Sequence, residues 1–345
     1  MLRMIYILSC LLGLLDPTAA LAWGFEGHRV TGSIADQLLK PNAKQQVQKI
    51  LNDFDTHDLD LRKSGPWGDC VRSVAKHDDG KFHYEVDPDH LEYEVPCTVF
   101  NSSRERARIV DYAKRNWKCE PDVKRACHTE FHFESIAIQR DRFDRSFQGT
   151  NDHDLVAAVG AAIAVLMDKP APAPFSIKDK KEALLTLAHF MGDLHQPLHV
   201  GSVYLGADGK PVDPDIAHQI DPTTETAGGN AIQDQNLNLH HEWDDIPQDI
   251  GDAATKELLA DAQSIPASQG AIESWPAAWA TETLIVARAA FKGLSFQLVE
   301  PAPRPKWSVS FDDAISYRQS ADAIKRRQLA KGGARLAEIL NTIWP

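Results

Sequence analysis

The chain has 345 residues, 43% hydrophobic and 25% charged, proportions that exclude wholesale disorder and a collagen-like repeat. Its 37 Lys and Arg against 49 Asp and Glu give a formal charge of −12, with an isoelectric point near 5.6. That balance excludes a broad basic surface for duplex DNA or anionic lipid, so any bound polyanion must meet positive charge from another source.

Arg3 precedes an apolar run over Ile5–Leu15, and Ala20-Leu21-Ala22 supplies the small residues of a cleavage site. The run is shorter than the ~20 residues of a membrane-spanning helix. Residues 1–22 are therefore expected to be a signal peptide, removed so that Trp23 becomes the first residue of an exported, periplasmic or secreted protein. The charge is unchanged by cleavage because Arg3 and Asp16 leave together. Without Cys10, the cysteines are Cys70, Cys97, Cys119 and Cys127, an even number that predicts two disulfides in an oxidising compartment. The short loop between Cys119 and Cys127 favours that pair and leaves Cys70 with Cys97. None of the four has the C-x-x-C spacing of a thiolate zinc site.

Apolar residues at i, i+3 and i+4 predict helices over Val30–Leu39, Ala43–Leu51, Arg104–Trp117, Leu155–Met167 and Lys181–Leu194. The same spacing continues in Ala253–Ala262, Ala277–Leu298 and Ala314–Ile343. Alternating runs are scarce, and Phe82–Val86 and Phe131–Ile138 are the best strand candidates. Breakers fall at Pro170–Pro174, Gly206–Asn230 and Pro301–Pro305, and the residues after the last are too few for a core of their own. The expected fold is all-α, mainly helical with short β-like segments, as a single domain over 23–345.

Fourteen histidines are an unusual count. His189 and Asp193 stand four apart and share one helix face, after which Pro197 ends the helix and turns His199 toward them. His240 and Asp244 repeat the spacing. Imidazole nitrogen with carboxylate oxygen suits Zn²⁺ with positions left open for water or substrate. One such pair reads by default as a solvated helix face; two, one followed by Pro-x-His, point to metal. In a cleaved chain the Trp23 α-amino group and carbonyl could chelate a metal with His28, although Trp23 alone reads as a core aromatic. His57, His77, His90, His153 and His218 lie in polar stretches and read as solvated loop residues. His195 and His241 flank the candidate ligands on other helix faces, where a supporting role is the alternative. No P-loop, dinucleotide fingerprint or G-x-S-x-G element is present, and Asn101-Ser102-Ser103 is a glycosylation sequon that matters only in a eukaryotic secretory host.

Five motifs occur in order. They are W-G-x-x-G-H (Trp23 to His28), W-[AG]-D-x-x-R (Trp67, Asp69, Arg72) and H-F-x-G-D-x-x-Q-P-L-H (His189 to His199), then G-G-N (Gly228 to Asn230) and N-L-H-x-x-W-D (Asn238 to Asp244). In this pattern the chain resembles the S-one/P-one type, or mung-bean-type, zinc-dependent single-strand nucleases and 3′-nucleotidases, over about Trp23 to Asp244. The resemblance implies a helical fold related to zinc phospholipase C, with three zinc ions at the foot of a cleft. It assigns one zinc to Asp69, a motif histidine, His189 and Asp193, and a second to His199, His240 and Asp244. The third falls to the Trp23 amine and carbonyl with His28, Asp193 bridging. Arg72 matches a contact to the scissile phosphate and Asp69 also orients the attacking water, making these two the catalytic candidates.

The motif histidine has two candidates, His83 in Phe82–Val86 and His132 in Phe131–Ile136. His132 is favoured by its spacing from His189 and by Ile136, and it makes 88–130 largely an insertion. The family's usual Asp or Asn three positions later is Ser135 here, or Val86 in the other register, a departure that touches the phosphate and base contacts. Phe133 is a stacking face for a splayed base, with core packing as the alternative. Asn230 belongs to a substrate-side loop, or else to a plain turn. Three dications at one point would supply the field that an acidic chain lacks. The expected activity is endonucleolytic hydrolysis of single-stranded RNA and DNA to 5′-phosphate products, with 3′-nucleotidase activity, by a monomer that does not associate with membranes. The alternatives are a zinc phospholipase C-like phosphodiesterase and a non-catalytic zinc-binding periplasmic protein.

Overall fold

A computed structural model describes residues 23–52, 58–86, 91, 94–119, 126–235, 237–301, 303 and 305–345. The signal-peptide reading of 1–22, together with His57 and His90, lies outside them. The N-terminal part holds α1 (Phe25–Leu38), α2 (Pro41–Leu51), α3 (Leu61–Ser64) and α4 (Trp67–Arg72), then the hairpin β1 (Val74–Lys76) and β2 (Phe82–Tyr84), then α5 (Ser103–Arg115). The central part runs through β3 (Ile136–Ala137), α6 (Leu155–Leu166), α7 (Lys180–Asp193) and α8 (Pro197–Val200), followed by β4 (Gly201–Ser202), β5 (Tyr204–Leu205), β6 (Pro211–Val212) and α9 (Pro214–Ala217). The C-terminal part holds β7 (Ile232–Asp234), β8 (Leu237–Asn238), α10 (Leu239–Asp244), α11 (Lys256–Gln263) and α12 (Trp275–Ala290), then β9 (Leu294–Glu300), β10 (Lys306–Phe311) and α13 (Ala314–Ile343). The fold is mainly helical, and among the described residues no helix is long and apolar enough to cross a membrane.

Helix α7 is the axis of the molecule. Asp179 caps it by accepting from the Glu182 amide at 2.8 Å, and every residue from Lys181 to Asp193 is buried. A helix buried on all sides needs neighbours all round, and α1, α2, α3, α4, α6 and α13 supply them. Its polar N-terminal turn is matched by α5: Lys181 Nζ meets Glu105 at 2.7 Å, Arg115 forks onto Glu182 at 2.8 and 2.9 Å, and Arg108 reaches Asp179 at 2.8 Å. Burial of such charges is tolerated only when they are paired. Helix α5, which lies within the segment read as an insertion, is therefore built into the support of α7. A disulfide from Cys97 to Cys70 also ties that segment to α4, and the second disulfide joins Cys119 to Cys127, both as expected.

Two readings of local structure are corrected. The helix expected over Ala277–Leu298 stops at Ala290, and Leu294–Glu300 is a strand. Gly293, at φ +72°, breaks the helix, and beyond it Leu294, Phe296 and Leu298 alternate with outward residues to pack against Trp307 and Trp243. The helical spacing had run across that glycine into a period-two segment. β9 pairs antiparallel with β10, which joins β7 and β8 in a four-stranded sheet. In Phe131–Ile138 only Ile136–Ala137 is strand, paired parallel to β4, because His132 and its neighbours turn toward the centre described next.

Candidate metal centre

Five separate pieces of chain converge at the C-terminal end of α7. It presents His189 and Asp193, while α1 brings His28, α4 brings Asp69 and Arg72, the loop before β3 brings His132, α8 brings His199, and α10 brings His240 and Asp244. All eight of these histidine and aspartate residues are 3% exposed or less. Glycines make the approach possible. A Cβ on Gly68 would lie 2.3 Å from His189 Cδ2, and one on Gly192 would lie 2.7 Å from His28 Nδ1.

Three groups of candidate ligands result: Asp69, His132 and His189; His28, His189 and Asp193; and His199, His240 and Asp244. In the first, His189 Nε2 lies 3.1 Å from His132 Nδ1 and 3.9 Å from Asp69 Oδ1. Asp193 faces the first two groups together. Its Oδ2 is 3.2 Å from His132 Nδ1 and 3.3 Å from His189 Nε2, and its Oδ1 is 3.4 Å from His28 Nε2. In the third group, His240 Nε2 and His199 Nε2 are 3.1 Å apart, with Asp244 Oδ2 3.5 Å from His240 and Oδ1 3.7 Å from His199.

Hydrogen bonds behind the rings decide what the front presents. The Nδ1–H groups of His189, His199 and His240 donate to the carbonyls of Gly65, His132 and Gly228, at 2.8, 2.6 and 2.8 Å. Each ring then turns an unprotonated Nε2 inward, the tautomer a metal requires. Asp69 Oδ1, both oxygens of Asp193, Asp244 Oδ2 and both nitrogens of His28 have no hydrogen-bond partner among the described residues. Buried acceptors crowded against acceptors are unfavourable unless a cation lies among them.

The titration behaviour agrees. Burial raises Asp69 to about 6, Asp193 to about 7 and Asp244 well above the usual carboxylate range. Burial also pulls His28, His132 and His189 down, so the imidazoles are neutral at physiological pH. Neutral nitrogen and carboxylate oxygen in tetrahedral-sized groups fit Zn²⁺.

Arg72 stands at the rim with 11% of its side chain exposed, Nη1 3.7 Å from Asp69 Oδ1, where a phosphate could meet it. Trp23 is fully buried and packs against Gly192 beside His28, while the Gly24 amide donates to the Asp244 carbonyl at 3.0 Å, so the chain begins its described course at the centre. Of the two motif histidines, the structure brings in His132. His83 is exposed on β2, its ring 4.7 Å from His77. Phe133 is half-buried beside His132. Asn230 is turned onto its own loop, donating to the Ala227 carbonyl at 2.8 Å, and it is the neighbouring Gly228 carbonyl that serves the centre. Ser135 is 8% exposed and its carbonyl accepts from the Tyr204 hydroxyl at 2.7 Å.

His153, read as a solvated loop residue, is 5% exposed and lies between Asp152 and Glu130 at 2.7 and 3.2 Å. Two neighbours of the centre escaped the sequence reading. Gln196 donates to Asp244 Oδ1 at 2.6 Å, a role its place in the histidine motif could have suggested. His128 is buried under Trp117, and burial with the charge of Arg72 pulls it to about 3; nothing in its local sequence marked it.

The S1/P1 nuclease family model matches residues 23–119 and 101–345. The chain belongs to the S1/P1 nuclease family. Endonuclease 1 of Arabidopsis thaliana is 25% identical over 366 residues, spanning 99% of this chain and 93% of that protein. Endonuclease 2 of the same plant is 24% identical over 343 residues, spanning 93% and 90%. Endonuclease 4 is 24% identical over 344 residues. Both the family and these relatives favour a hydrolytic nuclease over the lipase and non-catalytic alternatives, and zinc dependence is a property of the S1/P1 family.

Proposed function

We propose that this S1/P1 nuclease is an exported tri-zinc endonuclease that hydrolyses single-stranded RNA and DNA to 5′-phosphate products and also acts as a 3′-nucleotidase. The observation that carries the proposal is the shared carboxylate: Asp193 faces His28, His132 and His189 at once, joining two ligand groups into one cluster with the third beside it. Asp69, His132, His189 and Asp193 would hold one ion, and His199, His240 and Asp244 a second. His28 with the amine and carbonyl of a Trp23 freed by signal cleavage would hold the third. When bound, such ions supply Lewis acidity toward a phosphate and lower the pKa of water toward ~7.

The chain's own groups do the rest. Arg72 orients a non-bridging phosphate oxygen, and Asp69 beside it accepts a hydrogen bond from the incoming water, fixing its line of approach to phosphorus. Scission of the P–O3′ bond leaves a 5′-phosphate. Phe133 presents a partly exposed ring next to His132, on which an unstacked base can lie. A duplex holds its bases stacked and its phosphates on a stiff cylinder, which keeps them from a centre this deeply buried.

End-labelled single-stranded DNA and RNA, their duplexes, a 3′-nucleotide and phosphatidylcholine separate these statements. The expected result is cleavage of both single strands to 5′-phosphate ends, phosphate release from the 3′-nucleotide, at least tenfold slower duplex cleavage, and intact lipid. Equal rates on duplex and single strand would contradict the single-strand reading, and lipid turnover alone would contradict the nuclease.

A further inference from the structure

Beyond Asp244 the sequence motifs fall silent, yet the C-terminal helices reach the middle of the histidine motif. The turn Leu194–Gln196 joins Asp193 to His199, and as the exit of α7 it carries carbonyls with no helical partner. The Thr283 hydroxyl of α12 donates to the Leu194 carbonyl at 2.8 Å, and Gln328 Nε2 of α13 donates to the His195 carbonyl at 2.9 Å. His195 Nδ1–H donates to the Met191 carbonyl at 2.8 Å, so its Nε2 is the acceptor for Arg335 Nη1 at 3.0 Å. Arg335 is in turn held by a fork onto Glu282 of α12, at 2.7 Å to each oxygen. His195, Thr283, Gln328 and Arg335 are all 5% exposed or less.

Helix α13 comes this close because two glycines face the centre's helices. A Cβ on Gly332 would lie 3.1 Å from the Met191 carbonyl, and one on Gly333 would lie 2.4 Å from Ile34 of α1, the helix that carries His28. An arginine offers donors alone, so the ring it meets must be neutral with Nε2 unprotonated. His195 thus faces away from the metal cluster and acts as a strut under it. The same turn ends in Gln196, whose amide holds Asp244.

We infer that Arg335, Gln328 and Thr283 are positioning residues of the metal centre, locking the Leu194–Gln196 turn so that Asp193, His199 and, through Gln196, Asp244 keep one mutual geometry. The inference rests on the metal reading of the centre. Outer partners of metal ligands typically change metal affinity or activity by about 10- to 100-fold when removed.

The test is the rate of zinc transfer from the folded, loaded protein to a coloured chelator, well below the melting transition, together with kcat and KM on single-stranded DNA. Arg335→Met is expected to release zinc at least tenfold faster and to lower kcat with KM within about twofold. Arg335→Lys, which keeps one donor, is expected to lie between Arg335→Met and the wild type. Thr283→Val, nearly isosteric, is expected to speed release severalfold and serves if Arg335→Met does not fold. A loss of stability alone would lower the melting temperature without moving the release rate. Wild-type release rates in folded Arg335→Met and Thr283→Val overturn the inference while leaving the metal reading intact. A wild-type chain that takes up no zinc overturns both.

Discussion

His132 and His83 carry the same local signature, an aromatic–histidine–aromatic triplet, and only the fold separates them. His132 is buried with its Nδ1 3.2 Å from Asp193, whereas His83 projects from a hairpin into solvent. His132→Ala is expected to lower kcat/KM on single-stranded DNA by more than about a hundredfold, beyond the range of outer partners, and His83→Ala to change it less than twofold. Comparable losses in both would contradict the assignment.

The carboxylates set a pH dependence whose sign follows from burial. Asp69 and Asp193 are raised to about 6 and about 7, so below those values the metal-free chain holds protons that an incoming dication must displace. His28, His132 and His189 are lowered and release none there. Zinc affinity is therefore expected to fall as pH falls through about 7 to 6, with proton release detected at about pH 6 by calorimetry in buffers of different ionisation enthalpy. Buffer-independent heats at pH 6 would contradict this. The ligands themselves were legible because i, i+4 spacing is a one-dimensional signal. His128, Gln196 and the carbonyls of Gly65 and Gly228 were not, since their roles exist only after distant segments meet.

Elements show the same division. Helices α1, α2, α5, α6, α7 and α13 follow the apolar periodicity within a few residues, because burying one face against neighbours is what that periodicity encodes. The sheet built on β9 and β10 was hidden by a helical spacing that continued across Gly293, and by Trp307, whose burial depends on pairing with β7 far earlier in the chain. Packing between α4 and α7 yields the element-scale prediction. Gly68→Ala would drive a methyl group into the His189 ring, with no flexible neighbour to yield. It is expected to destabilise the fold by about 1–3 kcal/mol, the usual cost of overpacking. Zinc bound to the remaining folded protein should also fall, read by denaturant unfolding and elemental analysis of the same sample. Unchanged stability with full zinc content would show that α4 shifts freely, against the close packing described.

At the scale of the molecule, an acidic chain that cleaves a polyanion is consistent once the charge is counted where it acts. The net −12 is a property of the whole chain, while the buried end of α7 gathers histidines and carboxylates whose shortage is positive charge. The long C-terminal helix, silent in the motif search, closes the back of that centre, and α5 secures the far end of the same axis. We propose that this cluster is a trinuclear zinc site completed by the cleaved N-terminus. Elemental analysis of purified protein beginning at Trp23, with and without a single preceding methionine, tests it most directly. About three zincs per chain are expected for the first and about two for the second, with chelation abolishing single-strand cleavage in both. One zinc or none in the protein beginning at Trp23 would contradict it.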